Sequence, residues 1–169
     1  MSEKGATASV VHDPRQVEHR RVWFEKPALR VLYADYHSRL TAACPDGPLL
    51  DIGGGTAHIK QVRRDVLSVD ILPFPGIDAV CDAHCLAFPD RQFAGVIMID
   101  VLHHLERPIA FLKEAARVLR PRGVLAMIEP GKQEEIAAVR TLRLCGNLLS
   151  SGDGLVERAL IFPSTLILL

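Results

Sequence analysis

A doubly wound, mostly parallel α/β sheet is the fold class this sequence predicts, and three observations predict it. Short runs of strand length, at Leu49–Ile52, Val66–Val69, Ile77–Cys81, Val96–Ile99 and Val124–Ile128, are mostly apolar throughout. Strands of a parallel sheet covered on both faces read this way. Helical patterns separate several of the runs, which calls for right-handed crossovers between parallel strands. Finally, the first run leads straight into Gly53-Gly54-Gly55, and Asp51, Asp70, Asp82 and Asp100 each sit at or just before the end of a run. Ligands of open α/β sheets bind along that edge.

In chain order, residues 1–18 are polar and unpatterned, which predicts a flexible N-terminal arm. A helical region spans 19–44, where Leu29, Leu32, Tyr33, Tyr36 and Leu40 recur at helical spacing. Pro45-Asp46-Gly47-Pro48 stops that helix, and a sheet domain follows over 45–169. A second helix starts at Pro108, with Ile109, Leu112, Ala116 and Leu119 on one face and Lys113, Glu114, Arg117 and Arg120 on the other. Pro121-Arg122-Gly123 closes it. From 131 the sequence is abbreviated: a helical stretch over Glu134–Leu149, a break at Gly152-Asp153-Gly154, and two final strands, Leu155–Phe162 and Leu166–Leu169, around Pro163-Ser164.

Composition narrows the function. At 169 residues the chain suits one domain with a real core. Twenty Lys+Arg balance twenty Asp+Glu, so no global field draws the protein to nucleic acid or to an acidic membrane. No apolar stretch reaches the about 20 residues of a bilayer span, and the N-terminus has no apolar signal core, so the expected address is cytoplasmic. Cys81 and Cys85 flank Asp82 and His84, but a structural zinc wants four well-placed ligands; we expect no metal.

The glycine run carries the chemistry. Glycines after a strand let the backbone turn sharply and approach a ligand too closely for any Cβ. The helix start that follows offers free N–H groups, and a carboxylate ending the next strand can grip ribose hydroxyls. A dinucleotide loop would need a third glycine where His58 stands. No Lys or Arg lies in the loop to suit phosphates, and no Tyr-x-x-x-Lys pair is present. An NAD-dependent oxidoreductase is therefore the weaker reading.

The linked motifs over residues 45–130 resemble those of the class I S-adenosylmethionine-dependent methyltransferases, in their type 11 style. Leu50-Asp51-Ile52-Gly53-Gly54-Gly55-Thr56-Ala57 is similar to the first motif, whose loop passes under the methionine part of the cofactor; Ala57 stands where the family has its third glycine. Ser68-Val69-Asp70 resembles the second, which implies that Asp70 holds the ribose, with Ile71 beside it. Asp82-Ala83 resembles the third, placing that carboxylate at the adenine amino group. Ile99-Asp100-Val101-Leu102-His103-His104-Leu105 resembles the fourth, beside the transferred methyl, and Leu119–Leu125 resembles the bend into the fifth strand. The resemblance implies a Rossmann-like methyltransferase fold, S-adenosylmethionine as cofactor, and an N-terminal helix, bearing Tyr33 and Tyr36, that closes over it. It also implies further strands after residue 129 than the remaining 40 residues easily supply, hence a shortened or incomplete C-terminal part.

The expected activity is methyl transfer to an O, N or C nucleophile of a small molecule, with no nucleic acid or membrane partner. The sequence is silent on the oligomeric state. Cofactor-binding residues are Asp51, Gly53, Gly54, Gly55, Asp70, Ile71, Asp82, Ala83 and Asp100. His103 and His104 are the catalytic candidates: either a base near the methyl or supports for the helix entrance at Glu106-Arg107-Pro108. A non-catalytic or truncated S-adenosylmethionine-binding module is the alternative.

Overall fold

The computed structural model describes residues 14–130 and 158–164. Two helices come first, α1 (Pro14–Glu25) and α2 (Pro27–Ala43). Pro27 opens α2, where a missing N–H leaves no bond unmade. Then follow β1 (Leu49–Ile52), β2 (Val66–Asp70), β3 (Ala79–Val80), β4 (Phe93–Ile99), α3 (Pro108–Val118), β5 (Leu119–Pro130) and β6 (Arg158–Ser164). The strands form one sheet in the order β3-β2-β1-β4-β5-β6, and every neighbouring pair is parallel. The order reverses between β1 and β4, which opens a crevice at their carboxyl ends. No helix among the described residues is long and apolar enough to cross a membrane.

The two faces of the sheet account for the apolar runs. Leu50, Ile52, Val96, Met98, Leu125 and Met127 pack with Phe111, Leu112, Ala115 and Val118 of α3. Leu49, Ile97, Val124, Ala126 and Ile128 turn the other way and pack with Tyr36 and Leu40 of α2. Successive strand residues alternate faces, so covering both faces demands an apolar residue at nearly every position. Each fully buried Phe or Leu contributes about 1.5–3 kcal/mol.

Several boundaries differ from the sequence reading. Residues 14–18 of the expected arm are the first turns of α1, while 1–13 lie outside the described residues. Of Ile77–Cys81 only Ala79 and Val80 pair, and both are exposed, because the strand lies at the sheet edge. Leu119 is not the last residue of α3 but the first of β5, and the Pro121-Arg122-Gly123 segment is an irregularity within that strand, with Arg122 at φ 66°. Ile109 is exposed; Phe111 faces the core instead, being one and four residues from Leu112 and Ala115. β6 pairs directly with β5 and runs through Pro163, opposite Glu129, rather than stopping before it. Glu134–Leu149 and Leu166–Leu169 fall outside the described residues.

One polar clamp fixes the loop that leads to the crevice. Arg117 of α3 donates to the carbonyls of Leu86 and Phe88 and to the carboxylates of Glu114 and Asp90, each at 2.8–2.9 Å. Glu114 in turn accepts the N–H of Leu86 at 2.8 Å. Residues 86–90 are thereby tied to α3.

Candidate active site

At the switch point lies a cavity of about 800 Å³, within the range typical of ligand sites. Asp51, Gly53, Gly54, Gly55, Asp70, Ile71, Asp82, Ala83 and Asp100 all line it, and so does His104. Sequence reasoning placed these residues on four strand ends; the fold brings them to one wall.

The glycine loop is built against β2. Gly54 donates to the Val69 carbonyl at 3.0 Å, and Gly55 donates to Asp70 Oδ2 at 3.0 Å. The other Asp70 oxygen accepts the N–H of Leu72 at 2.9 Å. Gly53 and Gly55 take left-handed φ values of 67° and 52°. Gly54 has no room for a side chain: a Cβ there would sit 1.9 Å from Ser68 Oγ and 2.6 Å from Asp51 Oδ2. A Cβ at Gly55 would meet nothing within 4 Å, so that face of the loop is open. Ala57, at the third glycine position, is also left-handed (φ 54°, ψ 39°) and buried, a conformation that strains an alanine.

The carboxylates differ in setting. Asp51 is buried behind the loop and accepts from Ser68 Oγ at 2.7 Å. Burial pushes its carboxyl up to about 7; the Ser68 bond opposes the rise and the Asp70 charge adds to it. Asp82 is exposed and accepts both the backbone N–H and Nδ1 of His84, at 2.8 and 2.7 Å, which hold it below the usual carboxylate range. Asp100 is left-handed at φ 54° and held above that range by burial and then by Glu129.

The two histidines after β4 part company. His104 is on the cavity wall, whereas His103 Nδ1 donates to Glu129 Oε2 at 2.7 Å. Glu129 is nearly fully buried at the end of β5, and its Oε1 accepts the N–H groups of Val101 and Leu102 at 3.1 and 2.8 Å. The imidazole rings of His103 and His104 lie 4.0 Å apart, so Glu129 orients the pair through His103.

Over the loop sit α1 and α2. Trp23 stacks on His58 with ring centroids 3.4 Å apart and planes 9° from parallel. Tyr33 meets Trp23 edge-on at 5.8 Å. His58 Nε2 is hydrogen-bonded to Thr56 Oγ1, and His37 of α2 reaches the same cavity.

A family model described as a methyltransferase domain matches residues 29–127, more than half of the chain. The chain belongs to the class I S-adenosylmethionine-dependent methyltransferase family. Among curated relatives of this methyltransferase chain, "Probable tRNA methyltransferase 9B" of Mus musculus is 33% identical over 127 residues, covering 63% of this chain and 28% of that protein. Demethylmenaquinone methyltransferase of Tropheryma whipplei (strain Twist) is 33% identical over 97 residues, 48% of this chain and 41% of that one. The chain thus spans well under half the length of these relatives. Among solved structures, a SAM-dependent methyltransferase from Thermotoga maritima superposes with a TM-score of 0.52 at 21% identity, over 66% of this chain and 56% of that one, which shows the shared fold.

The cofactor of the family is S-adenosylmethionine, and the cavity suits it. A sulfonium and an ammonium call for the acidic wall of Asp51, Asp70, Asp82 and Asp100, and the molecule carries no phosphate that would require a basic loop.

Trp23, His37 and Glu129 were missed from sequence. Glu129 had a signal: it ends the run Val124–Ile128 just as the other four carboxylates end or flank theirs. Trp23 and His37 had none, because only the docking of α1 and α2 brings them to the loop.

Proposed function

We propose that the chain transfers a methyl group from S-adenosylmethionine to a small-molecule nucleophile. The carrying observation is that four strand-end carboxylates and an open glycine loop without basic residues line one cavity. When bound, the cofactor supplies an electrophilic methyl carbon with its own leaving group. Asp70 is positioned to hold the ribose hydroxyls, since its two oxygens are already fixed by Gly55 and Leu72 and retain lone pairs. Asp82, steadied by His84, takes the adenine amino group. Ile71 and Ala83 give the base its apolar flanks, which gives the 64% exposed Ile71 a partner. Asp51 and Asp100 face the cationic portion.

Transfer then requires that the acceptor be held in line and water kept out. The aromatic cover of Trp23 and Tyr33 serves the second need. His104, on the wall and braced by the Glu129–His103 pair, is the base for acceptors that must lose a proton.

Charge balance over the whole chain supports a small acceptor, since it leaves no global field toward nucleic acid. A tRNA acceptor is the second reading, favoured by the likeness to the mouse protein; it requires cations left free for phosphates. Tritium-labelled S-adenosylmethionine separates them. The chain is offered the low-molecular-weight fraction of a cell extract or total tRNA, and label is expected in the first. Label in tRNA alone would transfer the conclusion to the second reading. No label in either, with cofactor binding intact, would leave a binding module.

A further inference from the structure

The carboxyl ends of the strands hold the cavity, and their amino ends carry a cluster of arginines that the reaction leaves unused. Leu49 of β1 is level with Val66 of β2 and with Gly95 of β4, and Gly95 is level with Val124 of β5. Just before that row stand Arg63 and Arg64, then Arg91, then Arg120 and Arg122. Asp46, Asp65 and Asp90 are the acids of the same segments. Two of the arginines brace the edge itself. Arg63 donates to the Gly47 carbonyl at 2.7 Å and pairs with Asp65 at 2.8 Å, and Arg120 donates to the Asp46 carbonyl. Asp90 is held by Arg117 of α3. Arg64, Arg91 and Arg122 are exposed, and their side chains have no hydrogen bond or ion pair among the described residues.

Backbone geometry singles out two of these three. Among the described residues, four that are not glycine have a left-handed φ. Ala57 follows the glycine loop and Asp100 lines the cavity; the others are Arg91, at 56°, and Arg122, at 66°. Glycine suits such turns, and a long side chain held there is strained. Both turns are pinned. Arg91 and Gln92 donate to the carbonyls of Arg117 and Val118 at 2.9 and 2.8 Å, and a Cβ on Gly123 would sit 2.8 Å from the Arg120 carbonyl. Strain of this kind gathers at binding sites, as it does here at the cavity.

Neighbouring strands lie about 4.8 Å apart, so arginines ahead of β2, β4 and β5 spread over about 14 Å. An extended chain of about five residues covers that distance, and planar carboxylates fit guanidinium forks. Nucleic acid suits the edge less, since no aromatic side chain is exposed there for bases to stack on and three free cations answer few phosphates. A membrane would want large apolar anchors, and Val62 is the one exposed large hydrophobic near the row among the described residues. We propose that this arginine edge docks an extended acidic segment of a partner protein, at the edge of the sheet opposite the cofactor crevice.

Fluorescence anisotropy of labelled deca-glutamate with the whole chain tests it. The peptide should bind, more weakly as salt rises, and deca-glutamine should not. The Arg91→Gly/Arg122→Gly double variant should lose about fivefold or more in affinity, as two charge pairs go. It should melt no lower than the wild type, because glycine accepts both left-handed turns. Arg64→Ala should weaken the peptide about twofold. Equal affinity in the wild type and both variants, or no binding by folded wild type, would overturn the proposal. Tighter binding of oligouridine or of phosphatidylserine vesicles than of the peptide would overturn the class of partner.

Discussion

The two ends of the cavity are made by different means. The Asp70–Asp82 end is local: each carboxylate ends or follows a strand and is fixed by backbone N–H groups or by a histidine two residues away. The His37–His58 end is tertiary, since its groups come from α2 and from the turn after the glycine loop and are held by a tryptophan from α1. At the first end Asp82 is exposed and held below the usual carboxylate range by His84, whereas at the second burial depresses both imidazoles. Ligand recognition at the first end is therefore set by the sheet, and at the second it depends on how two helices dock.

The loop joining the two ends is the most sensitive point of the site. Gly54→Ala forces a Cβ against Ser68 Oγ and Asp51 Oδ2. It should cost about 3 kcal/mol and abolish S-adenosylhomocysteine binding, as read by denaturant melts and calorimetry. Next is Glu129→Ala, which leaves two buried N–H groups and His103 without their acceptor. A loss of about 2–3 kcal/mol is expected; Glu129→Gln, which still accepts through its amide oxygen, should recover most of it.

Asp51→Asn sharpens the contrast through pH. The carboxyl moves from an ordinary 3.8 up to about 7 in the fold. Between those values the native state holds the extra proton, so this group's contribution to stability falls as pH rises and is lowest above about 7. Asparagine does not titrate. The variant should therefore gain on the wild type as pH rises, reaching about 4 kcal/mol near pH 8, while binding the cofactor more weakly. His37 and His58 act in the opposite sense: depressed from 6.5 to about 4, they leave the unfolded chain to take up protons first. Acid should thus destabilise the protein from about pH 6.5 downward. The smallest effect is Ala57→Gly, which relieves a left-handed alanine and should stabilise by up to about 1 kcal/mol.

Legibility in the sequence follows the same division. The sheet was readable because residues between two covered faces must be apolar, and the strand-end carboxylates stood out against those runs. β3 was over-read, since Ile77–Cys81 is apolar enough for a central strand but sits at an edge. Phe111 and Ile109 were exchanged because helical spacing gives a period and leaves the phase to packing. His37 and Trp23 carry no local signal at all, as their importance arises only where α1 and α2 meet the loop. Glu129 obeyed the strand-end rule already in use for the others.

The most direct measurement is a calorimetric titration of S-adenosylhomocysteine into the whole chain and into Asp70→Asn, which keeps an acceptor for Gly55 or Leu72 but loses the charge. Saturable binding to the wild type is expected, weakened at least about tenfold in a variant that still folds. Equal affinity of the two proteins, or no binding by folded wild type, would contradict it.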